Sequence, residues 1–440
     1  MTTPIADFVS EYAEKHTVRL HMPGHKGVGA AERFDITEID GADELCRPEG
    51  IILESERNAS ALFSCPTFYS TEGSSHCVRA MLYLALYGGR GPAEGSKKRV
   101  LASRAVHASF ISAAALTDFE PVFLPADDFD GFGGGVPTPA AVRAALSGGG
   151  CDAVFVTSPD YVGSMCDVAG ISAVCREYGV PLLVDCAHGA YLNFLDPKLH
   201  PMALGAAMCC SSAHKTLPVL TPGAYLHVSE EYAGMAREAL FMFGTSSPSY
   251  LILSSLDRAN ALLSGDYPEL LTNCCQQLAL MRWELELAGW SLAGDEPLKL
   301  TVAPLGRGYT GDGLYSYLAS NGVVCELHSK KYLTMLFNPY IGENEINRVG
   351  RLLSSLPAKE KIPDDTPGSE PVIMASGVRE TMFGKKETVP VEESAGRVFA
   401  GLVTPCPPCV PPVICGQLLT EHSVRLLKYF GMRSVIVAAR

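Results

Sequence analysis

Between residues 78 and 228 the chain alternates short, apolar runs with longer stretches that are apolar at every third or fourth position. The short runs 100–102, 120–124, 152–157, 180–185, 206–210 and 224–228 predict strands. The stretches 78–87, 108–117, 139–146 and 171–178 have the period of helices. Strands without polar alternation are covered on both faces, and strands separated by helices return parallel. The pattern therefore predicts an α/β fold around a buried, mostly parallel sheet.

Before this region, 5–15 predicts a short amphipathic helix, and 35–57 is polar, mixed and expected to be irregular. After it come helical patterns at 232–242, 250–263 and 269–287. Runs at 298–302, 311–320 and 323–327 suggest a smaller α/β element set, 357–371 reads as a linker, and the last helix spans 421–431. The expected division is an N-terminal segment 1–60, a large domain 61–292 and a smaller C-terminal α+β part 293–440.

Hydrophobic residues make up 47% of the 440, and charged residues 19%, which fits a compact enzyme and not a disordered chain. The formal charge of −13 and the lack of a basic tract argue against nucleic-acid binding. No apolar run reaches the roughly 18 residues of a membrane span, and the N-terminus lacks a signal-peptide pattern. Fifteen scattered cysteines in a core-rich chain suggest reduced thiols and a cytoplasmic location.

Polar residues collect at the carboxyl ends of the predicted strands: His107, Ser158, Asp185, His188, Ser212 and Lys215. Ligand sites in parallel sheets lie there. Lys215 stands between two apolar runs, where a lysine is rarely placed unless it is paired or used chemically. A desolvated amine attacks carbonyls, and one such use is a Schiff base with pyridoxal phosphate. That cofactor also needs a carboxylate at its ring nitrogen, a flat side chain against the ring, and donors for its phosphate. Asp185, His107, and Ser74, Ser75 and Ser212 suit those roles. Gly73 with Ser74 and Ser75 precedes a helix, the arrangement that presents free N–H groups to an anion. His21 to Gly27, with two histidines and a lysine in a turn-rich stretch, reads as a loop lining a site or a subunit contact, and no metal site is expected.

Asp185-Cys186-Ala187-His188-Gly189-Ala190 and Ser212-Ala213-His214-Lys215-Thr216-Leu217 together resemble the ornithine/lysine/arginine decarboxylases of fold type I. His21-Met22-Pro23-Gly24-His25-Lys26-Gly27, Gly73-Ser74-Ser75, Ala105 to Ser109 and Thr245 to Tyr250 carry the resemblance along most of the chain. It implies an aspartate-aminotransferase-type large domain, in the short form of the family that lacks an N-terminal wing. It implies Lys215 as the Schiff-base lysine, Asp185 as the pyridinium partner and His107 as the stacking residue. Gly73, Ser74, Ser75 and Ser212 would form the phosphate cup, with Thr245 and Ser246 reaching a neighbouring subunit's phosphate. His188 and His214 are candidates for proton donation, and His25 and Gln417 for substrate contact.

The implied reaction is loss of CO₂ from arginine, lysine or ornithine to give an amine, in a homodimer or larger homo-oligomer. Some positions depart from the family pattern. Cys406-Pro407-Pro408-Cys409 replaces a Tyr-Pro-Pro-Gly run, and Cys415-Gly416-Gln417 replaces Pro-Gly-Glu. Glu72 stands where Asn is commoner, and Asp160-Tyr161-Val162 where the family has Thr-Tyr-Tyr. A neutral Gln417 cannot pair with a substrate cation as a carboxylate does. Transamination of a non-basic amino acid and a non-catalytic cofactor-binding role are the alternatives.

Overall fold

The structure is a computed structural model that describes residues 1–15, 17–88, 97–125, 135–368, 370–402 and 411–440. Cys406 and Cys409 lie outside the described residues. The chain forms two compact units. The first comprises Met1–Leu101, Leu146–Val156 and Val168–Pro268; the second comprises Ala102–Ala145, Thr157–Asp167 and Glu269–Arg440.

The first unit contains α1 (Pro4–Glu14), α2 (Ile51–Phe63), β1 (Thr67–Ser70), α3 (Ser74–Tyr87), all but the last residue of β2 (Arg99–Ala102) and of β3 (Ala153–Thr157), α4 (Val168–Glu177) and β4 (Leu182–Asp185). It continues with β5 (Met208–Ser211), α5 (Ala213–Thr216), β6 (Ala224–Val228), α6 (Glu230–Phe243) and α7 (Tyr250–Leu263). Strand order among these is β1-β6-β5-β4-β3-β2 in a mostly parallel sheet. Every residue of β3, β4, β5 and β6 is buried, the polar Thr157, Asp185, Ser211 and His227 included. The β4–β5 pair is parallel, with Asp185 opposite Cys210. At the other edge β6 runs antiparallel to both β5 and β1.

The stretch 35–57 is not irregular throughout, because α2 begins at Ile51. The face that α2 buries includes Ser55 and Glu56 beside Ile52, Ala59 and Phe63, so polar residues interrupt the apolar period. Burial of Glu56 is matched by Arg237 at 2.5 Å and by the Tyr69 N–H at 3.0 Å. Asp43 caps α2 from outside the helix, accepting the N–H groups of Gly50 (2.8 Å) and Ile52 (3.0 Å).

A carboxylate also anchors α1. Asp257 on α7 accepts the N–H groups of Ile5 (3.0 Å) and Ala6 (2.9 Å), donors in the first helical turn that have no partner within their own helix. Its other oxygen accepts the Ser55 hydroxyl at 2.5 Å, and Asn260 donates to the Tyr69 hydroxyl at 2.7 Å. One buried polar network thus joins α1, α2, β1 and α7.

In the second unit a four-stranded antiparallel sheet has the order Leu327–His328, Leu333–Leu336, Lys299–Ala303, Ser291–Ala293. Of the run 323–327 only Leu327 enters a strand. The Lys299 ammonium is buried and donates to the Asp160 carbonyl at 2.9 Å. A separate two-stranded antiparallel sheet pairs Lys386–Pro390 with Ser434–Ala438, and Phe399, Leu419, Leu427 and Val437 are among the residues of the core beside it. Arg379 donates to the carbonyls of Ala115 (3.0 Å) and Leu116 (3.1 Å), ending the Ala108–Thr117 helix with a cation.

Burial raises the Asp257 carboxyl from 3.8 to about 6, against the pull of its donors. The folded protein therefore holds this proton more tightly than the unfolded chain, so the stability linked to Asp257 is full below pH ~4 and is lost as pH rises through ~6. In Asp257→Asn that loss is absent. Denaturant midpoints between pH 4 and pH 6 should fall in the wild type relative to Asp257→Asn; parallel curves would refute the assignment.

Candidate active site

Parallel pairing ends β4 and β5 on the same side of the sheet. Asp185 is the last residue of β4, and Ser212 directly follows β5 as the N-cap of α5. Asp185 is 3% exposed, and its Oδ1 accepts the Ala187 N–H at 3.1 Å and the Cys210 thiol at 3.5 Å. Those donors fix the carboxylate plane at the strand end.

His188 lies in the turn after Asp185 and is buried. Its Nε2 is 3.1 Å from the Lys215 Nζ, and Lys215 is the third residue of α5. The lysine keeps partial exposure, so its amine is accessible while one donor is already directed. His214 faces elsewhere: its Nδ1–H donates to the Gly223 carbonyl at 3.0 Å, and its backbone N–H reaches the same oxygen at 3.1 Å. Burial lowers the His214 imidazole below the usual histidine value, and the Lys215 charge adds to that effect. His214 is therefore a neutral clamp on α5.

Ser212 donates its hydroxyl to Ser74 at 2.7 Å. Ser74 opens α3, a helix of fourteen residues. The N-cap is Gly73, at φ +81 and ψ 171, a conformation open essentially to glycine alone, and no side chain caps the helix there. Ser74 and Ser75 thus open a helix N-terminus that favours negative charge, and the Ser212 hydroxyl reaches it through Ser74.

The sequence reading passed over His76. It accepts the Ser70 hydroxyl at Nδ1 (2.8 Å) and donates from Nε2 to the Leu240 carbonyl (2.6 Å), which ties the turn before Gly73 to α6. A histidine in the first turn of α3 was the available signal, but its partners are 6 and 164 residues away. Thr245 and Ser246 are exposed, and the Thr245 N–H donates to Glu72 at 2.6 Å. Within the N-terminal loop His25 is 3.1 Å from Asp35, and its Nδ1 accepts the Gly27 N–H.

Two expected site residues belong to the second unit. His107 caps the Ala108–Thr117 helix, with its Nδ1 accepting the Ser109 N–H at 3.2 Å, and is half-buried. Gln417 is buried, and its Oε1 accepts the Ile414 N–H at 3.0 Å within its own turn. Asp160 accepts the N–H groups of Gly163 and Ser164, each at 2.8 Å, so it shapes a turn.

The mostly parallel sheet with its smaller C-terminal antiparallel part has the architecture of the pyridoxal-phosphate fold type I, and Lys215, Asp185 and the start of α3 lie at its carboxyl edge. Residues 3–301 match the major domain of the Orn/Lys/Arg decarboxylases and residues 367–438 their C-terminal domain. The chain belongs to the Orn/Lys/Arg decarboxylase family, a family of amino-acid decarboxylases. It is 30% identical to the uncharacterized protein YaaO of Bacillus subtilis (strain 168), over 97% of this chain and 94% of that one. It is 27% identical to an arginine decarboxylase of the same organism, over 96% and 92%. Its fold matches that of the Escherichia coli constitutive lysine decarboxylase with a TM-score of 0.76 at 19% identity, over 100% of this chain and 82% of that one.

Gly73→Ala should cost about 1–3 kcal/mol through backbone strain alone, because the new Cβ would meet Pro222 only at 3.6 Å. Thermal unfolding measures it; an unchanged midpoint would show that the turn is not held at positive φ.

Proposed function

We propose that this decarboxylase uses pyridoxal phosphate and acts on a basic amino acid, arginine, lysine or ornithine. The observation that carries the reading is the Lys215 amine held 3.1 Å from buried His188, at the strand edge that also ends in Asp185. The residues present fit the cofactor: the uncapped N-terminus of α3, the Gly73 turn and the hydroxyls of Ser74, Ser75 and Ser212 suit a phosphate. Bound there, the cofactor supplies a ring that takes up the electron pair left when the substrate's carboxylate departs as CO₂.

The rest falls to the chain's own residues. Lys215 holds the cofactor until the substrate amine arrives. Asp185, buried and fixed by Ala187 and Cys210, keeps a proton on the ring nitrogen. The serine hydroxyls and helix N–H groups hold the phosphate, with Thr245 and Ser246 serving that of a second subunit. The family resemblance gives His107 the stacking role. His188 exchanges a proton with the Lys215 amine through Nε2, while His214, committed to the Gly223 carbonyl, positions α5. His25 and Gln417 contact the substrate. The chain would work as a homodimer in the cytoplasm, where its thirteen described free cysteines stay reduced. Among the described residues no helix is long and apolar enough to cross a membrane.

One observation favours a second reading. Gln417 directs its Oε1 to Ile414 and offers no carboxylate for a distal cation, which suits transamination or decarboxylation of a non-basic amino acid.

The test is CO₂ release from arginine, lysine and ornithine in the presence of pyridoxal phosphate. We expect CO₂ from one of the three, none in Lys215→Ala, and a kcat lower by about 10²–10⁴-fold in His188→Gln. CO₂ only from a non-basic amino acid, or an oxo acid in place of CO₂, would overturn the basic-amino-acid reading. Equal rates in His188→Gln would remove His188 from proton transfer.

A further inference from the structure

A group of soft ligands lies under the sheet, apart from the residues assigned above. Cys209 on β5 and His227 on β6 are opposite one another in register, and His200 follows the short helical turn Pro197–Leu199. His200 is 1% exposed, and Cys209 and His227 are 0% exposed. One nitrogen from each histidine and the cysteine sulfur all lie within 4.8 Å of one another, the one such group among the described residues. Successive strand residues point to opposite faces, so Cys209 projects away from the face on which Cys210 meets Asp185.

His200 is the anomaly. Its Nδ1 is buried without a hydrogen-bond partner, and its Nε2 has only the Cys209 sulfur, at 3.9 Å. Buried imidazole nitrogens ordinarily find a nitrogen, oxygen or water partner. His227 is oriented as a ligand would be. Its Nδ1 is 3.0 Å from the Thr67 hydroxyl, and that hydroxyl donates to the Cys65 carbonyl. Nδ1 therefore carries the ring proton and Nε2 keeps its lone pair, with the Ser211 hydroxyl as its neighbour at 3.3 Å. A second hydrogen bond that fixes the tautomer of a metal-binding histidine is the usual supporting arrangement. Burial lowers both imidazoles but pushes the Cys209 thiol up, so coordination requires the metal to displace the Cys209 proton to solvent.

We propose that His200, Cys209 and His227 form a buried site for one soft monovalent metal ion, Cu(I). The set contains no carboxylate, which excludes the oxygen-seeking Mg²⁺ and Ca²⁺. Two imidazoles and a thiolate suit soft or borderline metals. Charge decides between them. The single thiolate formed when Cys209 gives up its proton neutralises Cu(I) but would leave a net positive charge with Zn(II), in a pocket walled by Phe63, whose ring centre lies 4.5 Å from that of His227. Bound metal would clamp the antiparallel β5–β6 pair to the segment at His200 without touching Lys215.

The experiment supplies Cu(I) without oxygen to the purified full-length protein in competition with the chelator bicinchoninate, and follows copper per chain and the thermal midpoint. The wild type should retain about one Cu(I) per chain and unfold at a higher temperature with it. His200→Asn and Cys209→Ser should retain none, while Cys275→Ser behaves as wild type. Cooperative unfolding of His200→Asn without copper shows that the loss is not misfolding. No retention by the wild type, equal retention by folded His200→Asn, or retention of Zn(II) in preference to Cu(I) would each overturn the assignment.

Discussion

The parallel register of β4 against β5 is the constraint on which the site depends. Leu183 lies opposite Met208 and Asp185 opposite Cys210, so both strands deliver their last residues to one edge. A slip of one residue would turn Asp185 to the other face and exchange Cys209 with Cys210. Burial on both faces prevents such a slip, because every side chain of the two strands already has packing to lose. The antiparallel strand β6 then fixes the outer side of β5, and its lead-in at Gly223 supplies the carbonyl that holds His214 and hence α5. The short helix carrying Lys215 is too small to be stable by itself, so these contacts determine where the amine sits.

The charges of the site follow from that geometry. Asp185 is shielded from water and held by one backbone N–H and one thiol, so it can serve a cationic ring nitrogen without closing a salt bridge inside the protein. At the opposite pole, α3 begins without a side-chain cap, and its positive end is available to an anion. His76 and Ser70 stiffen the turn that leads into it. An acid at a strand end, an amine on the short helix α5 and an uncapped helix start are thus supplied by elements whose positions the sheet dictates.

Much of this was legible in the sequence, for identifiable reasons. Lys215 and Asp185 stood out because charged groups at the ends of apolar runs need an explanation, and the motifs around them resemble a known family. The helices 108–117 and 250–263 have the bounds that their periods predict. Helix α2 was hidden because buried Glu56 and Ser55 break its apolar period, and β1 because four residues that include Thr67 and Ser70 give little signal. The antiparallel direction of β6 could not be read either, since the run Ala224–Val228 carries no signal of strand direction. The cluster of His200, Cys209 and His227 needs strand register to assemble and has no local motif. Gln417 was visible as a departure, but the hydrogen bond that turns its oxygen towards Ile414 was not.

The central claim is that Lys215, and no other amine, carries the cofactor. It is tested most directly by incubating the protein with pyridoxal phosphate, reducing with borohydride and mapping the modified peptide by mass spectrometry. The account predicts a phosphopyridoxyl group on Lys215, with loss of the modification in Lys215→Ala. Modification of a different lysine, or none at all, would contradict it.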